Sequence, residues 1–405
     1  MAEFSRRRLL GAGALVAGTA GAAAVGGPRL VSDPAVADDA AVEPFYGPHQ
    51  GGVATVPQAY ATLLAFDLRP EHRNVASLRS IMKLWTADAA RLTQGLPALA
   101  DTEPELATSP ARLTVTVGYG PTLFSALRLA HAQPATLREL PAFSVDRLES
   151  RWSGGHLMVQ LCAESPLPVS HATRVLTKNV RSMATVRWIQ RGFREPIRTE
   201  EPAGSMRNLM GQVDGTVNLA DSQFDQFVWD RGEDQDWFAG GTILIVRRIR
   251  AEMDTWDQLG RDTKELVVGR TLGSGAPLTG EKESDEPDFD AHVGGIPVIP
   301  PNSHIALARH HKDSEQFLRR PYNYDDPPPA GQISDSGLLF LAFQRDPATQ
   351  FVPVQQRISD GDALNEWVTP VGSASFAVLP GVREGEYLGQ RLFDAMDPAT
   401  NGDNG

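Results

Sequence analysis

The order of strand-like and helix-like segments is the feature that most constrains how this 405-residue chain folds. In its first half, short apolar runs typical of strands alternate with helix patterns, in which apolar residues recur every three or four positions. The segments, in chain order, are a strand at Tyr60–Leu68, a helix after Asn74, strands at Leu113–Val117 and Leu157–Cys162, a helix at Val169–Met183 and a strand at Val186–Ile189. Asn74 is placed to cap the first helix, because its side chain can accept hydrogen bonds from free backbone N–H groups.

The second half repeats this order. Its segments are a strand at Thr242–Val246, a short helix at Glu252–Leu259, strands at His304–Ala308 and Leu338–Gln344, a helix at Phe351–Trp367 and a strand at Ala374–Leu379. The sequence β-α-β-β-α-β is that of a ferredoxin-like unit. We therefore predict an α+β fold of two tandem ferredoxin-like units, at residues 38–220 and 221–395, with a disordered tail at 396–405.

The first 37 residues have the composition of an export signal. Arg6, Arg7 and Arg8 precede a Gly/Ala-rich apolar stretch, and a small-x-small sequence ends at Ala37. Paired arginines before Leu9 and Leu10 point to the twin-arginine export machinery. The alternatives are a membrane anchor or a disordered basic tail. We expect cleavage after Ala37 and a mature protein that is periplasmic or extracellular, including the cell surface.

Charge and cysteine content exclude several classes of protein. The formal net charge is −12, and phosphate binding needs a basic surface, so we predict no nucleic-acid partner. The single cysteine, Cys162, rules out a Cys-x-x-Cys-His site for covalent haem attachment. Any haem in this chain is therefore expected to be bound non-covalently.

Three residues form the candidate site. His304 follows a Pro-Pro-Asn-Ser turn, and in the predicted strand it shares a face with Ala306 and Ala308, whose small side chains leave room for a flat macrocycle. Asp214 lies in a glycine-flanked turn, and Arg319 belongs to an arginine pair. Taken singly, each also fits a structural role, as a core histidine, a plain turn or a surface arginine.

Several segments together resemble dye-decolourising haem peroxidases, in particular an exported subgroup that includes iron-uptake-associated members. The similar segments are Pro44–Gln50, Leu113–Gly120, Gly154–Gln160, Arg207–Gly211, Gly275–Leu278, Gly337–Gln344 and Gly372–Ala377. The resemblance implies a dimeric α–β barrel type of fold with non-covalent haem b in the C-terminal unit. It also implies hydrogen peroxide and organic one-electron donors as substrates, and it allows iron-uptake components as partners and a homo-oligomeric state.

The resemblance assigns a role to each candidate residue. His304 would be the proximal iron ligand, Asp214 the distal acid–base residue and Arg319 the distal arginine, with the choice between Arg319 and Arg320 left open. The remaining haem-contacting positions would be Gly215, Thr216, Val217, the loop from Arg309 to His311, and the pocket-lining Leu338 and Phe340.

Some questions stay open at this stage. Asp362 and Glu366 are both candidates to accept a hydrogen bond from the proximal histidine, and either could instead lie on a solvated helix face. Large donors would be oxidised through surface aromatic residues, for which the candidates are Trp237, Trp256 and Tyr387, unless these residues only pack. The alternative functions are haem handling with iron release, as in a deferrochelatase, and an exported binding protein without haem.

Overall fold

The computed structural model of the protein describes residues 41–195 and 205–396. The strands are β1 (Tyr60–Leu68), β2 (Thr114–Tyr119), β3 (Leu157–Ala163), β4 (Ala184–Phe193), β5 (Met206–Arg207), β6 (Val213–Asp214), β7 (Thr242–Ala251), β8 (His292–Val293), β9 (Ile296–Pro297), β10 (Leu318–Arg319), β11 (Tyr322–Asp326), β12 (Asp335–Gln344) and β13 (Val368–Val378). The α-helices are α1 (Val75–Leu92), α2 (Pro121–Ala126), α3 (Pro166–Val180), α4 (Phe224–Phe227), α5 (Met253–Trp256), α6 (Arg261–Val268), α7 (His304–Ala308), α8 (Phe351–Gly361) and α9 (Gln390–Met396).

Most strands join one antiparallel sheet that closes on itself. Its order is β10-β12-β11-β4-β1-β3-β2-β13-β7, and β7 also pairs with β12. Strands β10 and β11 pair with successive stretches of β12, so they act as one interrupted strand. Within this barrel, β4-β1-β3-β2 and β13-β7-β12-β10/β11 each have the strand order of a ferredoxin-like unit. The predicted fold of two such units is therefore confirmed.

The first unit follows its sequence pattern closely. The side chain of Asn74 caps α1 by accepting a hydrogen bond from the backbone N–H of Ser77 at 2.9 Å. The apolar face of α1, which includes Leu78, Ile81 and Trp85, is fully buried against the sheet. One apolar core thus lies between helices and sheet, and a second fills the inside of the barrel.

The predicted strand at His304–Ala308 is wrong, because this segment is the short helix α7. The Ser303 carbonyl accepts hydrogen bonds from the N–H groups of Ala306 and Leu307, which starts the helix. Alanine and leucine favour helices, and five residues are too few to separate strand from helix periodicity. The second strand of this unit is instead formed by β10 and β11.

The predicted helix at Phe351–Trp367 is divided. α8 ends at Gly361, and Asp362 then caps a short 3₁₀ helix, Ala363–Glu366, by accepting from the N–H of Leu364 at 2.8 Å. This break removes Asp362 from a regular helix face and turns its carboxylate toward α7.

The chain ends carry predictions that the structure does not address. The signal peptide at 1–37 and the tail beyond Met396 lie outside the described residues, while Met396 itself ends α9. The domain boundary near residue 220 stays a prediction. Within residues 41–195 and 205–396, no helix combines the length and apolar character needed to cross a bilayer.

Candidate active site

His304 is held by a buried carboxylate. Its Nδ1 lies 2.6 Å from Oδ2 of Asp362, whose side chain is completely buried. A carboxylate at this distance accepts, so Nδ1 carries a proton, and in the neutral imidazole the free lone pair is on Nε2. Of the two predicted acceptors, the structure brings Asp362 to the histidine and leaves Glu366 exposed.

Opposing effects act on the imidazole. Burial lowers the pKa of His304, but the charge and hydrogen bond of Asp362, helped by the charge of Asp214, outweigh burial and the nearby Arg319. The net pKa therefore lies above the ordinary value of 6.5. The charge of Asp214 raises the pKa of His304 and that of Arg319 lowers it.

A glycine lets α7 approach α6. Gly269 ends α6 with a φ of +88°, and a Cβ added there would lie 2.6 Å from Cγ1 of Ile305. A side chain at this position would therefore push α7, and His304 with it, away from α6.

The distal candidates form an ion pair. Asp214 lies on the hairpin formed by β5 and β6, and its Oδ1 is 3.4 Å from Nη1 of Arg319. Arg319 also donates from Nη2 to the carbonyl of Val217 at 2.7 Å. Its backbone is fixed by Asn218, whose side chain accepts from the N–H of Arg319 at 2.9 Å and donates to its carbonyl at 2.8 Å.

The neighbouring arginine points elsewhere. Arg320 is only 1% exposed, and its guanidinium donates to the carbonyl of Thr55 and to the side-chain oxygen of Gln58. It also lies beside Cys162, which faces the inside of the barrel. By geometry, Arg319 is therefore the arginine that accompanies Asp214.

The structure also locates the other predicted pocket residues. Leu338 and Phe340 are partly exposed and alternate with the buried Leu339 and Leu341, so they lie on the outer face of the barrel. Gly215 follows Asp214 with a φ of +114°. Thr216 is partly buried, Val217 is exposed, and Arg309 lies with its guanidinium carbon 4.1 Å from the ring centroid of Phe289.

The residues present fit a haem. Among the described residues, no group of three or more His, Cys, Asp and Glu side chains is arranged to hold a bare metal ion. His304 offers one imidazole nitrogen, which suits an iron whose four equatorial ligands come from a porphyrin. All five side chains of α7 are partly exposed, so His304 is accessible at the surface of this short apolar helix. The fold and these residues define an α–β barrel protein with a candidate haem site.

Comparison with known proteins gives the family. The Dyp-type peroxidase N-terminal model matches residues 50–194, and the C-terminal model matches residues 205–383. The chain is 39% identical over 360 residues to the dye-decolorizing peroxidase of Thermobifida fusca (strain YX), covering 85% of this chain and 84% of that protein. It is 35% identical over 418 residues to the deferrochelatase of Shigella sonnei (strain Ss046), covering 96% of this chain and 97% of that protein.

Comparison with solved structures gives the same family. The crystal structure of a DyP-type peroxidase from Cellulomonas bogoriensis matches with a TM-score of 0.86 and 50% identity, covering 89% of this chain and all of that one. A DyP-type peroxidase from Streptomyces coelicolor matches with a TM-score of 0.84 and 37% identity, covering 89% of this chain and 99% of that one. The chain therefore belongs to the Dyp-type peroxidase family and is a haem-dependent peroxidase.

Trp237 and Trp256 are not surface residues, so for both the alternative holds that they only pack. Trp237 and Trp256 are 4% and 1% exposed, and their indole N–H groups donate to the carbonyls of Ala132 and Met210. Neither can meet a large donor directly. Tyr387 is partly exposed, with the Lys83 ammonium 5.1 Å from its ring centroid.

Sequence reasoning also missed supporting residues. Asn218 fixes the backbone of Arg319, and Arg357 of α8 donates to the carbonyl of Arg309 at 2.7 Å. Glu283 binds the segment that follows Asp214. All three lie outside the motifs that carry chemistry, and no local pattern marks them.

Proposed function

We propose that this protein reduces hydrogen peroxide with electrons from dyes, phenols or other organic donors, at a non-covalent haem b bound by His304. The observation that carries the proposal is the combination of a histidine with a free Nε2, backed by Asp362, and the nearby Asp214–Arg319 pair. The 39% identical relative from Thermobifida fusca is named a dye-decolorizing peroxidase, which supports dyes as donors.

Each residue has a distinct role in this proposal. When bound, the haem supplies an iron centre that takes electrons from donors and delivers them to peroxide. Asp214 takes the proton from one peroxide oxygen and returns it to the other, the usual task of a general acid–base carboxylate. Arg319 stabilises the negative charge that develops on the departing oxygen. Asp362 keeps the proton on Nδ1 of His304, so that Nε2 would be the atom that holds the haem iron.

The surrounding backbone and side chains would shape the site. Gly215, Thr216 and Val217 follow Asp214 directly, and we propose that they contact the haem edge together with Arg309. Leu338 and Phe340 would line the site and favour small oxidants such as hydrogen peroxide. Large dyes would then give up electrons at the protein surface.

Two single substitutions test the proposal. His304→Ala should abolish the Soret absorption band of the reconstituted protein. Asp214→Asn should keep the band but slow the reaction with peroxide about 10²- to 10⁴-fold, the range of general acid–base catalysis. Asp221→Asn, an exposed acid seven positions further on, is the control and should react as wild type does.

The outcomes separate the alternatives. A purified protein that takes up no haem would support the exported binding protein without haem. Wild-type peroxide kinetics in Asp214→Asn would contradict the acid–base role and move the work to Arg319.

A second candidate function is haem handling with iron release, together with iron-uptake components. It is favoured by the 35% identity to a deferrochelatase over nearly the full length of both chains. Iron release and peroxidase activity would use the same site, so the two functions are distinguished by their products. Recovery of intact, iron-free porphyrin after incubation with haem would support iron release, and peroxide-dependent donor oxidation without porphyrin recovery would support peroxidase activity alone.

We also propose export by the twin-arginine route, with a periplasmic or extracellular mature protein. The support is the Arg6-Arg7-Arg8 sequence before an apolar stretch. Replacing Arg6, Arg7 and Arg8 by lysine should trap the protein in the cytoplasm, as measured by cell fractionation, and unchanged export would contradict the proposal.

A further inference from the structure

One carboxylate joins the two ends of the hairpin that carries Asp214. Oε1 of Glu283 accepts a hydrogen bond from Oγ of Ser205 at 2.5 Å and another from Oγ1 of Thr216 at 2.8 Å. Ser205 precedes β5, and Thr216 lies two residues after Asp214. We propose that Glu283 is a positioning residue that fixes Asp214 for the reaction with peroxide. This inference rests on the proposed acid–base role of Asp214.

The hairpin needs such support because its own ladder is short. β5 and β6 are two residues each, with Met206 opposite Asp214 and Arg207 opposite Val213. A two-stranded ribbon is marginally stable by itself, even when it is longer than this one. Gly215, directly after Asp214, adopts a φ of +114° that other residues rarely adopt. The backbone at Asp214 therefore depends on contacts from outside the hairpin.

Glu283 is itself firmly held. The buried Arg270 donates from Nη1 to the carbonyl of Glu283 at 2.9 Å and to the carbonyl of Gly275 at 2.7 Å. Gly275 lies directly against β6, since a Cβ added there would be 2.8 Å from Cβ of Val213. The loop thus contacts the hairpin at two points, through packing at Val213 and through hydrogen bonds at Glu283.

The same loop is tied to the other strand of the hairpin. Arg207 donates from Nη1 to the carbonyl of Leu272 at 2.6 Å and from Nη2 to the carbonyl of Gly273 at 3.1 Å. These bonds keep the loop beside the hairpin, and Glu283 joins the two ends of the hairpin. Glu283 touches hydroxyl groups of the hairpin and acts on Asp214 through the backbone, so its role is positional.

The test compares three variants in the haem-loaded full-length protein. Glu283→Ala removes the oxygen that accepts both hydrogen bonds, and Glu283→Gln keeps a side-chain oxygen at the same place. Glu286→Ala is the control, because it removes an exposed carboxylate three residues away. We measure the second-order rate constant for hydrogen peroxide, the Soret spectrum and amide hydrogen exchange of residues 205–219. Because Glu283 is partly exposed to solvent, losing one of these hydroxyl-to-carboxylate bonds is expected to cost about fivefold, as for an ordinary hydrogen bond, and losing both about 10- to 30-fold.

We expect Glu283→Ala to lower the rate constant by about tenfold and to speed amide exchange in residues 205–219 by a similar factor, with the Soret band retained. Glu283→Gln should recover most of both effects, and Glu286→Ala should behave as wild type. If Glu283→Ala does not fold, the double variant Ser205→Ala, Thr216→Val removes the same two bonds from the other side and should give the same result.

Asp214→Asn, measured alongside, separates this inference from the proposed function. If Asp214→Asn is slow but Glu283→Ala reacts and exchanges like wild type, the positioning role is overturned and the proposed function stands. If Glu283→Gln is as impaired as Glu283→Ala, the hydrogen-bond role is overturned. If Asp214→Asn reacts like wild type, the acid–base role fails, and faster exchange in Glu283→Ala would then mark a purely structural bond, which also overturns the positioning role.

Discussion

Replacing Asp362 by asparagine should weaken haem binding by about 10- to 150-fold. Both carboxylate oxygens of Asp362 accept hydrogen bonds, from the N–H of Leu364 at 2.8 Å and from Nδ1 of His304 at 2.6 Å, and the side chain is completely buried. An asparagine has one acceptor oxygen, so its NH₂ group must face one of these two donors. Hydrogen bonds to charged groups contribute about 1.5–3 kcal/mol, and 1.4 kcal/mol is tenfold in affinity.

This range overlaps the 10- to 100-fold loss typical when the carboxylate behind a metal-bound histidine is removed, about 1.4–2.8 kcal/mol. The assay is the rate at which haem leaves the protein for an excess of apomyoglobin, followed through the Soret band. Glu366→Gln is the matched control, because Glu366 is an exposed carboxylate four residues away. Far-ultraviolet circular dichroism checks that both variants fold.

The result that refutes this reasoning is an Asp362→Asn variant that loses haem no faster than wild type. An equal loss in Glu366→Gln would refute it as well, since the effect would then come from general negative charge near α7.

Two further predictions concern neighbouring arginines and a buried histidine. Arg320→Leu should lower the free energy of unfolding by about 2–4 kcal/mol in urea denaturation, because the Gln58 side chain and the Thr55 carbonyl lose the donor that they share. Arg319→Leu should slow the peroxide reaction and change the free energy of unfolding by less than about 1 kcal/mol. Equal unfolding free energies in the two variants would contradict this. Burial lowers the pKa of His156, whose Nδ1 accepts a hydrogen bond from the N–H of Leu68 at 3.0 Å. The neutral histidine therefore stabilises the fold above its unfolded pKa of about 6.5, and this contribution is lost as the pH falls from there toward the lower folded pKa. His156→Gln should flatten the dependence of unfolding free energy on pH between about pH 7 and 5, and an unchanged slope would show that other groups carry it.

Long periodic segments were predictable and short ones were not. β1 has the predicted bounds, Tyr60–Leu68, and the helix capped by Asn74 begins at Val75. In both, many residues repeat the same pattern, so one unusual position changes little. α7 has only five residues, and its alternating small and large side chains match a strand as well as a helix. Contacts with α6 and α8, which come from tertiary packing, decide its structure.

The sequence could not decide between Arg319 and Arg320 because the apolar pattern before them is ambiguous. Successive strand residues face opposite sides, so one of the pair had to face the barrel interior. Phe317 and Leu318, which precede them, are both apolar, because Phe317 packs outside the barrel against Phe340 while Leu318 packs inside. When both faces of a strand are covered, the apolar pattern no longer indicates which residues face the barrel interior.

The register of β10 on β12 resolves that choice. Leu318 pairs with Phe343, and both belong to the core inside the barrel, so Arg319, opposite Ala342, faces outward. Outward is also the side from which the Asp214 hairpin approaches, and the ion pair with Asp214 follows from it. Barrel closure therefore does more than build a core. By fixing the register of one two-residue strand, it decides which of two adjacent guanidinium groups pairs with Asp214.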